Sequence, residues 1–334
     1  MQHEITAKTP LLAPDGTLAV KGYATQMNVL YNREYAKGFP LKLKEWNFYQ
    51  IQKDHYVLQL TLGHVSYMCS VAATLVDLET GKKYEFGTMK PLFVPSLDTE
   101  PDKESLVSFT GQDYFLSFQV TDRKRILHIH GSSKAYRNVE IHIELDNDVR
   151  NEKMVIATPF AKPTQFYLNY KENYYSGTGT VRFDDLTVDF DGCTGLIDWG
   201  RGIWPYSHEW FWGNLTAHID GIPFGFNIGW GFGDLSQATE NMFFYNKKAY
   251  KLGVLQVERD ENDYMKPWRF ADPEGKLQMT FTPLFDNYTQ NKYVVIDTHC
   301  NQVFGYFTGT IETDGGPKEF RDLLAFVEHA VNRW

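Results

Sequence analysis

Residues 139–145 read VEIHIEL. Val139, Ile141, Ile143 and Leu145 fall on one face of an extended chain, and Glu140, His142 and Glu144 on the other. This two-residue period marks a half-buried strand. The period recurs along the chain. Tyr56, Leu58, Leu60 and Leu62 alternate with His55, Val57, Gln59 and Thr61, and Tyr114, Leu116, Phe118 and Val120 repeat the pattern. Residues 303–311, VFGYFTGTI, alternate with glycines on one face. Turn residues punctuate these runs at Pro14-Asp15-Gly16, Thr80-Gly81, Asp191-Gly192, Asp220-Gly221, Pro273-Glu274-Gly275 and Gly315-Gly316. Many short strands separated by turns predict an antiparallel all-β sandwich or barrel. Helical signals are few. Residues 32–38 suit a short helical turn. Residues 320–334 read either as a helix or as a strand with Leu324, Phe326 and Glu328 on one face.

A boundary is expected near 146–165, where a charged run is followed by Pro159 and Pro163. This divides the chain into units 1–155 and 156–334. Residues 154–160 are apolar enough to pack, so the two units are expected to share an interface.

Residues 195–214 read GLIDWGRGIWPYSHEWFWGN and hold four of the eight tryptophans. Trp199, Trp204, Trp210 and Trp212 are interleaved with Asp198, Arg201, Tyr206, His208 and Glu209. A carboxyl held among indoles loses hydration, and its pKa rises. It can then donate a proton, while the indole faces stabilise a developing positive charge. The alternative is structural: an Asp198–Arg201 ion pair fixing a turn, Gly200 and Gly202 giving it backbone freedom, and the tryptophans in the core.

Residues 225–234, GFNIGWGFGD, lack the spacing of a nucleotide loop and read as a strand whose glycines admit a close neighbour. Glu240 follows as a second candidate carboxylate, or as a surface group. His128, His130 and His142 have no further ligands at metal-site spacing, so no metal is expected. Lys44-Glu45-Trp46 is a further charged-aromatic cluster, which either contributes to the same cavity from the N-terminal half, with Trp46 among the candidate wall residues, or caps a sheet edge. No GxSxG elbow is present, which argues against covalent acyl transfer.

The net charge of −9 argues against nucleic-acid binding and weakly against anionic lipid surfaces. Three cysteines without CxxC pairing suit a reducing compartment. No signal-peptide pattern or membrane-length apolar run is seen, so a cytoplasmic protein without stable membrane insertion is expected. The sequons at Asn214 and Asn287 would then go unused. No cofactor is expected, and the residues set no oligomeric state.

The stretches KGYATQMNVLYNRE, LKLKEWNFY, MVIATPFAKPTQFYLNYKENYYSGTGTV, IDWGRGIWPY, TENMFFYNKKAYKLG, WRFADPEGKLQMTFTP and NQVFGYFTGTI resemble the bacterial DUF2804 family over essentially the whole chain. More distantly the layout resembles the superfamily of carotenoid 1,2-hydratase, tocopherol cyclase and AttH-like proteins. That resemblance implies two lipocalin-like antiparallel β-barrels or half-barrels in tandem, with a cavity at or near their junction. It also implies acid-initiated chemistry on isoprenoid-type substrates in some members. The shared features are a lysine-led stretch, here from Lys171 to Gly179, and an Asp/Trp-rich motif. Either Leu196-Ile197-Asp198-Trp199 or Ser207-His208-Glu209-Trp210 matches the latter.

The expected function is binding of a small, largely apolar ligand, with cofactor-independent hydration, cyclisation or isomerisation. Asp198 would be the general acid, assisted by Glu209 or Glu240. Trp199, Trp204, Tyr206, Trp210 and Trp212 would line the pocket, with His208, Asn214, Trp46 and Lys171 contributing. Arg201 would orient Asp198 or grip an anionic substituent. A non-catalytic lipid carrier and a protein acting on sugar-like ligands are the competing readings.

Overall fold

A computed structural model describes residues 2–37, 41–293 and 296–334. Among them the fold is almost entirely β, organised as two curled antiparallel half-barrel sheets in tandem. The alternation at 139–145 is realised in the strand Val139–Asp146, where every second residue is buried.

The main path of the first sheet runs, in hydrogen-bonded order, Lys82–Pro91, Met68–Asp77, Tyr56–His64, Leu43–Lys53, Cys193–Ile203, Phe166–Phe183, Val139–Asp146, Lys124–Gly131, Tyr114–Val120 and Ser105–Thr110. The second runs Lys248–Lys251, Met242–Tyr245, Ile222–Trp230, Ser207–Ile219, Gly316–Arg333, Ile296–Thr313, Leu277–Tyr293, Trp268–Ala271 and Gln256–Glu258. Each sheet encloses its own apolar core. Two further clusters join the sheets. In one of them Val57, Val76 and Leu196 of the first sheet meet Trp212, Phe304 and Phe326 of the second.

The chain crosses from one sheet to the other between Ile203 and Ser207. Composition placed the junction near 146–165, but the strands flanking that segment, Val139–Asp146 and Phe166–Phe183, pair with each other. The apolar run Met154–Pro159 is a fully buried strand of the first sheet. The charged residues before it and Pro163 after it lie in loops, and Pro159 ends the strand itself. Residues 320–334 fall mostly in the strand Gly316–Arg333, hydrogen-bonded on both sides, so strand pairing decides what periodicity left open. In the 32–38 stretch a 3-10 turn spans Arg33–Tyr35, capped by the Asn32 side chain accepting from the Glu34 N–H. Gly38 lies outside the described residues.

The strand Phe166–Phe183 shifts register between Glu172 and Tyr175. There Tyr174 takes a positive φ of 58°, and the Asn173 side chain reaches the second sheet. Its Nδ2 donates to Asn214 Oδ1 at 2.6 Å, Leu215 O at 2.8 Å and Phe226 O at 3.2 Å. The bulge thus pins one sheet to the other. Asn173→Ala is expected to cost about 1–3 kcal/mol, since it strips a donor from buried acceptors. Denaturant unfolding reads this, and unchanged stability would show that the bulge ties nothing.

Candidate functional site

A cavity of about 370 Å³ opens between the two sheets, within the range of small-molecule sites. Strand pairing builds it from rows of side chains. On the first sheet Lys171, Asp198, Phe48 and Thr61 are successive cross-strand partners. On the second, Trp212, Glu328, Gln302 and Asn287 form a matching row, and Trp210, Ala330, Cys300 and Thr289 the row beside it. All of these except Ala330 line the cavity, as do Trp46, Tyr167, Trp204, Phe232, Glu240 and Trp334. Gln59 crosses the gap, donating to Gln302 Oε1 at 2.7 Å.

The DWGRG segment divides by the strand's two-residue period. Asp198 faces the cavity. Trp199 and Arg201 point into the first sheet's interior, where the Trp199 indole donates to Asp98 Oδ2 at 2.8 Å. Arg201 donates to Trp46 O, Asn47 Oδ1 and Asp98 O at 2.6, 2.9 and 2.8 Å. It lies 3.8 Å from Glu45. Asp198 and Arg201 therefore form no ion pair, and Arg201 neither orients Asp198 nor reaches a ligand in this cavity. Gly200 and Gly202 are not turn residues. A Cβ on Gly200 would sit 2.1 Å from the Trp46 ring, and one on Gly202 would sit 2.7 Å from the Trp204 ring. The missing side chains let these indoles lie against the strand.

The same alternation sorts 207–214. Trp210 and Trp212 face the cavity, whereas Glu209 is largely exposed and lies 3.6 Å from His329 outside the wall. Tyr206 is 51% exposed. His208 stands behind the wall, stacked on Trp210 and edge-on to Trp204 and Trp334. It accepts from the Trp204 indole at 3.1 Å, and burial lowers its pKa to about 4, so it is neutral. Asn214 is buried away from the cavity, bonded to Asn173 and Asn227. The strand expected over 225–234 ends at Trp230, and Gly231 and Gly233 take positive φ in the loop beyond it. Gly229 makes room for Glu240, whose Oε1 would lie 2.2 Å from a Cβ there.

Three carboxyls thus share the cavity with Lys171, the one cation among the described lining residues. Lys171 Nζ bonds Glu240 Oε2 at 2.6 Å and lies 4.5 Å from the Trp212 ring centroid. Asn227 holds the same Glu240 oxygen at 2.8 Å while accepting from the Trp212 indole at 2.7 Å. With Lys171 committed to Glu240, Asp198 and Glu328 have no counter-ion of their own. Burial raises the pKa of Asp198, against the pull of Lys171 and hydrogen bonds from Asn169 and Trp46. Burial likewise raises that of Glu328, with the Asp198 charge adding to it and a hydrogen bond from the Trp210 indole opposing. Burial thus drives Asp198 and Glu328 toward their neutral forms beside the single Lys171–Glu240 ion pair, the direction that lowers the cost of burying charge.

The linkage has a definite sign. A carboxyl whose pKa is raised by folding stabilises the fold while protonated, and that contribution is lost as pH rises through the folded pKa. Asp198→Asn and Glu328→Gln are therefore expected to match the parent protein in melting temperature below the ordinary carboxyl range and to exceed it at pH 8. Melting curves at both pH values check this. Lower stability of both variants at pH 8 would contradict the raised pKa values.

Glu328, Cys300, Gln302 and Trp334 were not picked out from the sequence as site residues. The one available signal was Glu328 on the apolar face shared with Leu324 and Phe326. His128 bonds Glu140 at 2.9 Å and packs against His130, His142 and Phe115. Among the described residues no group of three or more His, Cys, Asp or Glu side chains is placed to hold a metal. None of their helices is long and apolar enough to cross a membrane.

Comparison with known proteins agrees with this architecture. The chain resembles kievitone hydratase from Nectria haematococca, with a TM-score of 0.51 and 12% identity, over 98% of each chain. An AttH-like protein from Nitrosomonas europaea gives 0.47 and 11% identity, over 90% of this chain and 95% of the other. At 12% identity the likeness to the hydratase structure speaks for the fold alone. No curated protein matches the sequence. A family described as a domain of unknown function, DUF2804, matches residues 2–334, and the chain belongs to it.

Proposed function

We propose that this DUF2804 protein binds a small, largely apolar ligand between its sheets and protonates it from Asp198, starting a cofactor-independent hydration or isomerisation. The carrying observation is the pairing pattern of the cavity. Lys171 is bonded to Glu240, and Asp198 faces an aromatic chamber in which burial raises its pKa and favours its protonated form. A neutral carboxylic acid in such surroundings is a competent proton donor to an alkene or enol ether. The Trp46, Trp204, Trp210 and Trp212 rings supply quadrupoles that favour the cation so formed. When water adds or a neighbouring C–H is lost, the proton released returns to the Asp198 carboxylate left by the first step, which restores the acid, while Glu328 faces the same space from the opposite sheet. That a structural neighbour carries the name of a hydratase suits this reading.

The test is ligand extraction after native mass spectrometry, followed by incubation of the recovered compound with fresh protein in D2O. Solvent deuterium on carbon in the product is expected. A compound returned unchanged and unlabelled would turn the reading toward a carrier.

A further inference from the structure

We infer that the ligand is an elongated neutral amphiphile, whose polar or unsaturated head sits between Asp198 and Glu328 and whose apolar tail runs into a second compartment. This rests on the function proposed above and names its substrate class. A cavity of about 290 Å³ adjoins the first, and the two share Trp46, Thr61 and Trp334 as common wall. The compartments differ in chemistry. The first holds Lys171, Asp198, Glu240 and Glu328. The second presents Val65, Met68, Met89 and Ile296 beside the two indoles. Its ionisable residues, Glu45 and His64, are buried and bonded to each other at 2.8 Å, and Glu45 also accepts from Tyr31 at 2.8 Å. They offer a ligand little charge. Flexible thioethers adapt to a chain of variable shape.

The charge balance selects the head group. The first compartment has three carboxyls and one ammonium, and that ammonium is bonded to Glu240. An anionic head would be buried beside carboxyls with no free cation to meet it. A hydroxyl or a carbon–carbon double bond carries no such penalty. This disfavours fatty-acid anions and favours long-chain alcohols, enol ethers and alkenes.

Butanol, decanol and decanoate at pH 8 are suitable probes, read by fluorescence of the tryptophans that line the cavity. Decanol is expected to bind more tightly than butanol by about fourfold for each further methylene buried. Ser70→Phe and Thr298→Phe, two half-buried positions on the wall of the second compartment, should each weaken decanol about tenfold or more by filling the space of a few methylenes. Butanol binding should be unchanged by either. Decanoate should bind at least about tenfold more weakly than decanol, as expected for a charge buried without a partner. Equal affinity for butanol and decanol, no response of decanol to either phenylalanine, or decanoate as tight as decanol would overturn the inference while leaving the acid site standing. If no alcohol perturbs the tryptophans, the function proposed for the cavity falls with it.

Discussion

Asp198→Asn is expected to lower turnover roughly 10²–10⁴-fold, the usual contribution of a positioned general acid, while leaving ligand affinity within about threefold, because an amide keeps the carboxyl's shape and its polar contacts. Asp198 is buried, and its contacts come from donors: the Asn169 amide and the Trp46 indole. An Asn at this position keeps one carbonyl oxygen for them and loses the transferable proton. The split between turnover and binding is the informative part. A purely structural Asp198 would give the opposite pattern, with stability lowered and turnover per bound ligand kept. Single-turnover rates and a binding isotherm, measured on the same variant, separate the two.

Arg201→Met is expected to destabilise the fold by about 3–5 kcal/mol, the cost of leaving buried charge without its partner. Arg201 is fully buried and serves the side chains of Glu45, Asp98 and Asn47 and three backbone carbonyls, those of Trp46, Asp98 and Gly200, with its guanidinium 3.8 Å from the centre of the Trp199 ring. Asp98 also accepts from Asn47 at 2.6 Å and from the Trp199 indole. One arginine thus fastens the loop carrying Asp98 to the strands Leu43–Lys53 and Cys193–Ile203. Denaturant midpoints measure the loss. Stability within about 1 kcal/mol of the parent, typical of an exposed ion pair, would refute this role. Because Arg201 lies on the far side of the strand from Asp198, the variant should leave the Asp198 titration in place wherever it remains folded.

The contrast between these neighbours shows what the sequence carried. The two-residue period was legible, and with it the all-β class and the tandem half-barrels implied by family resemblance. Concentration of indoles and acids over 195–214 marked the region where the sheets meet. The sequence did not show that the chain changes sheet inside that segment, so that Asp198 and Trp210 reach one cavity from opposite walls. Nor did it choose a zero for the alternation. Once pairing fixes the face, Asp198, Trp210 and Trp212 turn toward the cavity, and Trp199, Arg201 and Glu209 turn away from it. Glu328 illustrates the other difficulty. It stands 130 residues beyond Asp198 in the numbering, and it enters the site because Gly316–Arg333 pairs with Ser207–Ile219. Long-range strand pairing leaves little local trace in a single sequence. The structural alternative gave Gly200 and Gly202 a turn, because backbone freedom is glycine's commoner use. Here they serve the space that two indole rings need.

The measurement closest to the central claim is an infrared titration of the carboxyl band, comparing the parent protein with Asp198→Asn and Glu328→Gln. The account predicts protonated-carboxyl signals that persist above the ordinary carboxylate range, one lost in each variant. The pH midpoint of Glu328 should fall when Asp198 is removed, since the Asp198 charge raises its pKa. An Asp198 signal that disappears at or below the ordinary value of about 3.9 would contradict it, for a carboxylate already ionised has no proton to give.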